Sequence, residues 1–212
     1  MVFQYKDREM FHGNQRLLIA KLTGKNKTTD VVFGTGLVSV SSMEDEAEVT
    51  NFPADDVPDH ASVSGASLAK GTITFMQLDP DVRVNFFGQS TTDNGKGYAS
   101  TGVYPQRLVQ FVSIGATKTG KKKLLVTVYP NMSVTGKPSK STETDSSDTP
   151  TAINWEASVQ ASGSDFYLTS DGYRSAEFEY VYEGDEVDKV LEYVDSGGII
   201  TPDYTVTTVK PG

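Results

Sequence analysis

The stretch "RLVQFVSIGATKTGKKKLLVTVYP", residues 107–130, decides the fold class. Two runs rich in Val, Leu and Ile flank a short polar turn around Thr119 and Gly120, the composition and spacing of a β-hairpin. Working outward, similar segments recur. "GTITFMQL" (71–78) places Ile73 and Phe75 on one face and Thr72, Thr74, Met76 and Leu78 on the other. "AINWEASVQA" (152–161) aligns Ile153, Trp155, Ala157, Val159 and Ala161. "EFEYVYEG" (177–184) sets Phe178, Tyr180 and Tyr182 against Glu177, Glu179 and Val181. "VVFGTGLVSVS" and "EAEVTNF" also read as strands, the latter with Glu44, Glu46, Glu48 and Thr50 on one side. "ADDVPDHASVSGASLAKG" is too rich in turn residues to be one strand.

Helices are few. "DPDVRVNFFG" begins with Asp79 as an N-cap and Pro80 in the first turn, and Gly88 closes it. "DEVDKVLEYV" offers Val187, Val190, Leu191 and Val194 at helical spacing. An all-β chain with one or two short helices is expected, and with 212 residues it is long enough to bury a core. Residues 1–30 read as an N-terminal arm. Residues 31–183 form the β domain, with a long inter-strand loop at 134–152, and 184–212 form a C-terminal helix and arm whose tail has no evident partner.

Composition excludes several functions. The chain has no cysteine, so disulfide scaffolds and thiolate metal sites are ruled out. The N-terminal stretch carries charges where a signal peptide needs an apolar core, and no run reaches the length of a membrane span. A soluble protein made in a cytoplasm is expected. The net charge of −9 discourages attraction to phosphates and acidic membranes. Charge is also segregated: no Lys or Arg lies between Lys27 and Lys70, and no acid lies between Asp93 and Glu143.

Catalytic patterns are missing. His12 and His60 are the two histidines, and no nucleophile elbow accompanies either. "DDVPDH" (55–60) has the residue types of a cation site but lacks the calcium-loop pattern, and reads as an acidic surface turn. "FGTGLV" lacks the third glycine and the helix of a phosphate cradle. "KTGKKK" reads as a solvated hairpin tip, since no aromatics interleave with it. No spacing selects a carboxylate pair for glycoside hydrolysis. No enzyme, cofactor or metal is expected, and what remains is assembly.

The run from Gly36 to Gly88, with its acidic "EDEAE" segment, its "PAD" turn, its Gly-led strand and its "LDPDVR" helix start, resembles the major tail proteins of long-tailed phages of Gram-positive bacteria. The "VTGKPSKSTE" loop and the returning "AINWEASV" strand are similar to that family as well. The resemblance implies a tail-tube-type β-sandwich or barrel subunit whose strands close a ring barrel on oligomerisation. It also implies hexameric rings stacked head to tail, and a virion tail protein assembled in the host cytoplasm. Its partners would be itself and the tape measure, tail terminator and distal tail proteins, and DNA would pass through without specific binding. Carboxylates would suit the lumen, because they repel phosphate and offer no binding minima. Glu44, Glu46 and Glu48 are the first candidates, and Glu177, Glu179 and Glu183 the second. Lys121, Lys122, Lys123, Lys137 and Lys140, with Asp145 and Asp148, are candidates for inter-subunit or inter-ring contacts. The alternative is a β-sandwich module binding carbohydrate or a host surface, with Tyr98, Tyr104 and Tyr173 as an aromatic platform. A third reading, an acidic hydrolase, would rest on Glu46 or Glu179.

Overall fold

A computed structural model describes residues 9–45, 49–54, 57–64, 68–117, 119–140 and 153–206. The elements run β1 (Glu9–Gly24), β2 (Lys27–Gly34), β3 (Leu37–Val40), β4 (Glu44–Asp45), β5 (Val49–Ala54), β6 (Val57–Ser64), β7 (Ala69–Phe75), α1 (Pro80–Asn85), β8 (Gln89–Thr91), β9 (Tyr98–Ser100), β10 (Arg107–Thr117), β11 (Lys122–Val134), β12 (Ser139–Lys140), β13 (Trp155–Ser162), β14 (Phe178–Glu183) and α2 (Asp185–Asp195). The chain is all-β with two short helices, as its alternating segments predict. The hairpin that decided the fold class is β10–β11, in register from Ala116↔Lys122 to Val109↔Tyr129.

The main sheet is antiparallel in the order β2-β1-β10-β11-β13-β7-β3, and it branches at β11. Lys123–Val128 of β11 pair with β14, whereas Asn131–Val134 pair with β13. The branch coincides with a register shift against β10 between Arg107 and Val109. This bulge reverses which side chains face which side. Leu124, Val126 and Val128 enter one core and Tyr129, Met132 and Val134 the other. Pro130, which has no N–H to donate, sits where the partner strand changes.

The two cores lie on opposite faces of the sheet. The first joins β1, β10, β13 and β7 to α1, with Ile73, Val82, Phe86 and Phe87 almost inaccessible. Phe87 packs edge-on to Phe75 and Phe86, at centroid distances of 6.0 and 5.3 Å. The second core is covered by α2, whose Val187, Val190 and Val194 are buried, and by the tail residues Ile199 and Ile200. Tyr167 is buried here and donates its hydroxyl to the Ile200 carbonyl at 2.7 Å, with the Tyr180 hydroxyl 2.9 Å away.

Several expectations are corrected. The segment expected as an arm supplies β1 and β2, and Leu17–Ala20 lie in the heart of the sheet. Here a four-residue apolar run serves both cores, so it shows no alternation. Residues 57–60, read as part of an acidic surface turn, instead begin β6, which pairs with β5 in a separate two-stranded sheet; the 54–71 run itself is divided between strands, as expected. "KKLLVTVYP" and "NMSV" form one strand. Asp79 precedes α1 without capping it: its carboxylate accepts from the Thr35 N–H and hydroxyl, both at 2.7 Å. Leu78 is buried, because the chain turns inward once β7 has ended. The tail expected to lack a partner packs on the second core through residue 206. Most of the expected 134–152 loop, residues 141–152, lies outside the described residues.

Candidate assembly surface

β14 carries the second set of candidate lumen acids. Its period-2 pattern turns Phe178, Tyr180 and Tyr182 toward α2 and leaves Glu179, Val181 and Glu183 exposed on the other face. Glu177, just before the strand, is half-buried and accepts the Tyr129 hydroxyl at 3.0 Å. Burial is the main cause holding this carboxyl above its ordinary range; the Tyr129 bond opposes that shift and nearby Glu179 adds to it. Burial likewise raises the Tyr129 hydroxyl. Glu183 pairs with Lys123 at 3.3 Å, its neighbour across β11–β14.

The first set is split. Glu44 is exposed in β4, opposite Lys70 in register, while Glu46 and Glu48 lie outside the described residues. Glu44 and the acids of β14 sit on different branches of the sheet, so they do not cluster.

The basic candidates divide as well. Lys121 is exposed at the β10–β11 turn and Lys137 after β11. Lys122 meets Asp188 of α2 at 3.3 Å on the surface. Lys123 is buried. Lys140 lies over Trp155 at 5.5 Å from the ring centroid. Asp145 and Asp148 fall outside the described residues.

One arrangement was not anticipated. Arg83 of α1 sits over Tyr98 at 4.9 Å and over Trp155 at 4.8 Å, also donating to the Leu78 carbonyl and Gln89 Oε1 at 3.2 and 3.3 Å. Cation and aromatic thus alternate from Lys140 through Trp155 and Arg83 to Tyr98. This stack ties β12–β13 to α1 and β9, and Trp155 is half-buried where it packs against the first core. The signal available in the sequence was a lone Arg on a short helix in a chain with one Trp.

Little here resembles a ligand site. Tyr98 is committed to the Arg83 stack and Tyr104 packs against the first core, leaving Tyr173 as the exposed member of the supposed platform. A cleft of about 360 Å³ lies between Asn14–Leu17 and Phe33–Leu37. Among the described residues no three His, Asp or Glu side chains converge on a point that could hold a metal. No helix there is long and apolar enough to cross a membrane.

Comparison with known proteins gives this surface its context. The family described as "Phage tail tube protein" matches residues 1–208. The tail tube proteins of Lactococcus phages F4-1 and SK1 are each 38% identical over 215 residues, covering 97% of this chain and 71% of theirs. Among solved structures, the tube-terminating cap of the anti-feeding prophage aligns with a TM-score of 0.38 at 9% identity, over 87% of this chain and 95% of that one. By its match along nearly its whole length and its identity to those relatives, the chain belongs to the phage tail tube protein family.

Proposed function

We propose that this chain assembles into hexameric rings that stack head to tail as the tube of a phage tail, forming a passive acidic conduit for DNA during ejection. Membership of the family makes it a structural component of the tail. The finer reading is supported above all by the exposed face of β14, where Glu179 and Glu183 stand out from a strand backed by α2. A wall of carboxylates repels the phosphates of a passing duplex and leaves it free to slide. Glu44, Glu46, Glu48 and Glu177 extend the acidic set. Lys121, Lys137 and Lys140, with Asp145 and Asp148, serve contacts between subunits or rings, where opposite charges set register more than affinity. Lys122 and Lys123 also hold α2 and β14 from within the subunit. Tape measure, tail terminator and distal tail proteins complete the partner set, and assembly takes place in the host cytoplasm.

The test is a paired substitution, Glu179→Lys with Glu183→Lys. Tubes of normal appearance by negative-stain microscopy, combined with slowed genome ejection, are the expected outcome. Normal ejection would remove this face from the channel, and a wild-type chain that forms neither rings nor tubes at any salt would overturn the assembly reading.

A further inference from the structure

Residues 92–97 join β8 to β9 and carry the chain's one Asn-Gly pair, Asn94 and Gly95. That dipeptide is unusually prone to deamidation, because glycine puts no side chain in the way when its nitrogen attacks the asparagine amide. The chemistry is a ring closure. The Gly95 nitrogen bonds to Asn94 Cγ, the Cγ–Nδ2 bond breaks, and Nδ2 leaves as ammonia with the proton given up by the Gly95 N–H. Water then opens the cyclic imide at either carbonyl, leaving aspartate or isoaspartate. Thr92, Asp93, Asn94, Gly95 and Lys96 are all exposed, so water has access.

The fold opposes the first step. The Gly95 N–H donates to the Thr92 carbonyl at 2.7 Å, which points this nitrogen back across the turn. Asn94 Oδ1 accepts from the Thr92 hydroxyl at 2.7 Å and from the Lys96 N–H at 3.0 Å. Thr92 Oγ1 in turn accepts from the Gly97 N–H at 3.0 Å, and the Thr92 N–H donates to the Gly97 carbonyl at 2.9 Å. One hydroxyl thus ties the side chain that must be attacked to the returning strand. Ring closure turns the Asn94–Gly95 peptide toward Cγ, which breaks the bond from Gly95 to Thr92, and swings the Asn94 side chain, which breaks both bonds at Oδ1. From this we propose that Asn94 is a deamidation site kept closed by the Thr92 hydroxyl. The reaction passes through local opening of the turn, and the frequency of opening sets its rate.

A second turn separates the clamp from the sequence motif. At Thr169, Asp171 and Gly172 the backbone plan recurs: the Gly172 N–H donates to the Thr169 carbonyl at 2.9 Å, and Thr169 Oγ1 accepts from the Tyr173 N–H at 3.0 Å. Among the described residues, however, no hydrogen bond fixes the Asp171 side chain. The hold on the side chain is therefore particular to residues 92–97. Losing it changes the charge pattern as well. Deamidation adds a carboxylate beside Asp93, where the acid-free run that ends at Glu143 begins, and the isoaspartate form also lengthens the backbone of the turn.

The test compares full-length protein held folded in mildly alkaline buffer with the same protein unfolded in guanidinium chloride. Trypsin, cutting after Arg83 and Lys96, releases residues 84–96 for mass spectrometry, and chromatography separates aspartate from isoaspartate. Asn94 of the folded wild type should convert at least about tenfold more slowly than in denaturant, the factor that a modest opening equilibrium imposes. Thr92→Val keeps the shape and loses the hydroxyl, so with an unchanged circular dichroism melt it should convert several-fold faster than wild type. Thr92→Ser, which retains the hydroxyl, should stay slow. Isoaspartate in the product marks passage through the ring. Equal rates in folded and unfolded wild type would overturn the protection, and a folded Thr92→Val as slow as wild type, or a Thr92→Ser as fast as Thr92→Val, would overturn the role given to the hydroxyl.

Discussion

The two halves of β11 occupy different surroundings. Asn131–Val134 are flanked by β10 and β13 and pack into a core that α1 closes, with Met132 wholly buried. Lys123–Val128 are flanked by β10 and β14, packed on one face against α2 but bordered by exposed Glu179, Val181 and Glu183 on the other. One strand thus joins a finished half to a half that still has faces and edges to offer. The difference teaches where stability and assembly should part company: substitutions in the first half should unfold the subunit, whereas those at the margin of the second should spare it and impair the tube.

The largest expected effect tests the finished half. Phe87→Ala removes a ring packed between Phe75 and Phe86, and should cost about 3–5 kcal/mol in denaturant unfolding of the subunit. Its counterpart, Val181→Ala, should change unfolding by no more than about 0.5 kcal/mol while lowering tube yield. Equal unfolding costs would erase the contrast.

Gly115→Ala comes next, because a methyl there meets the Phe11 ring at 2.5 Å and the Met10 carbonyl oxygen at 2.6 Å. Overpacking of this kind costs about 1–3 kcal/mol, and amide exchange should accelerate at the start of β1 while β13 stays protected. Uniform acceleration would mean that β1 and β13 belong to one cooperative unit.

Tyr167→Phe removes the donor to the Ile200 carbonyl and should cost about 1–2 kcal/mol. The loss belongs to the second core, so amide protection should fall in α2 and the tail ahead of β7.

Arg83→Lys keeps the charge but loses the planar stack on Tyr98 and Trp155, worth about 0.5–1 kcal/mol per contact. Since Trp155 is the only tryptophan, its emission should shift to longer wavelength. An unchanged spectrum would show that the stack does not set the environment of that ring.

The smallest effect is a pH dependence at the boundary between the halves. Glu177 has a folded pKa raised above its unfolded value, so its contribution is fully present below the unfolded pKa and is lost as pH rises through the folded one. Glu177→Gln, which can still accept the Tyr129 hydroxyl, should therefore be more stable than wild type at neutral pH, and the gap should narrow on acidification. A gap that widens at low pH would reverse the sign assigned to this carboxyl.

Legibility in the sequence followed periodicity. β14 and α2 each bury one side, so the alternation of Phe178, Tyr180 and Tyr182 and the spacing of Val187, Val190 and Val194 were readable directly. β1 was hidden for two reasons. Its apolar part is buried on both faces, and its polar part contains register shifts between His12 and Asn14 and between Asn14 and Arg16 that break any period of two. β6 was hidden because Pro58, Asp59 and the serines read locally as a turn, whereas its strand form depends on pairing with β5. Of the candidate acids, the exposed alternation of Glu179 and Glu183 was legible. The half-burial of Glu177 was not, since Tyr129 lies 48 residues away in the chain.

By itself the sequence determined the β class, the two helices, the β10–β11 hairpin, the absence of thiol chemistry and the segregation of charge. These are properties of composition and of contacts close along the chain. Tertiary structure decided that β1 and β2, from Glu9 to Gly34, belong to the sheet, that β11 changes partner at Pro130, and that Arg83 joins Trp155 to α1. It also decided that, among the described residues, Glu9–Arg16 pair with β10 alone and β14 with β11 alone. Each of these depends on pairing between segments far apart in sequence, where a one-residue bulge reverses the face a side chain serves, and no local pattern carries that information.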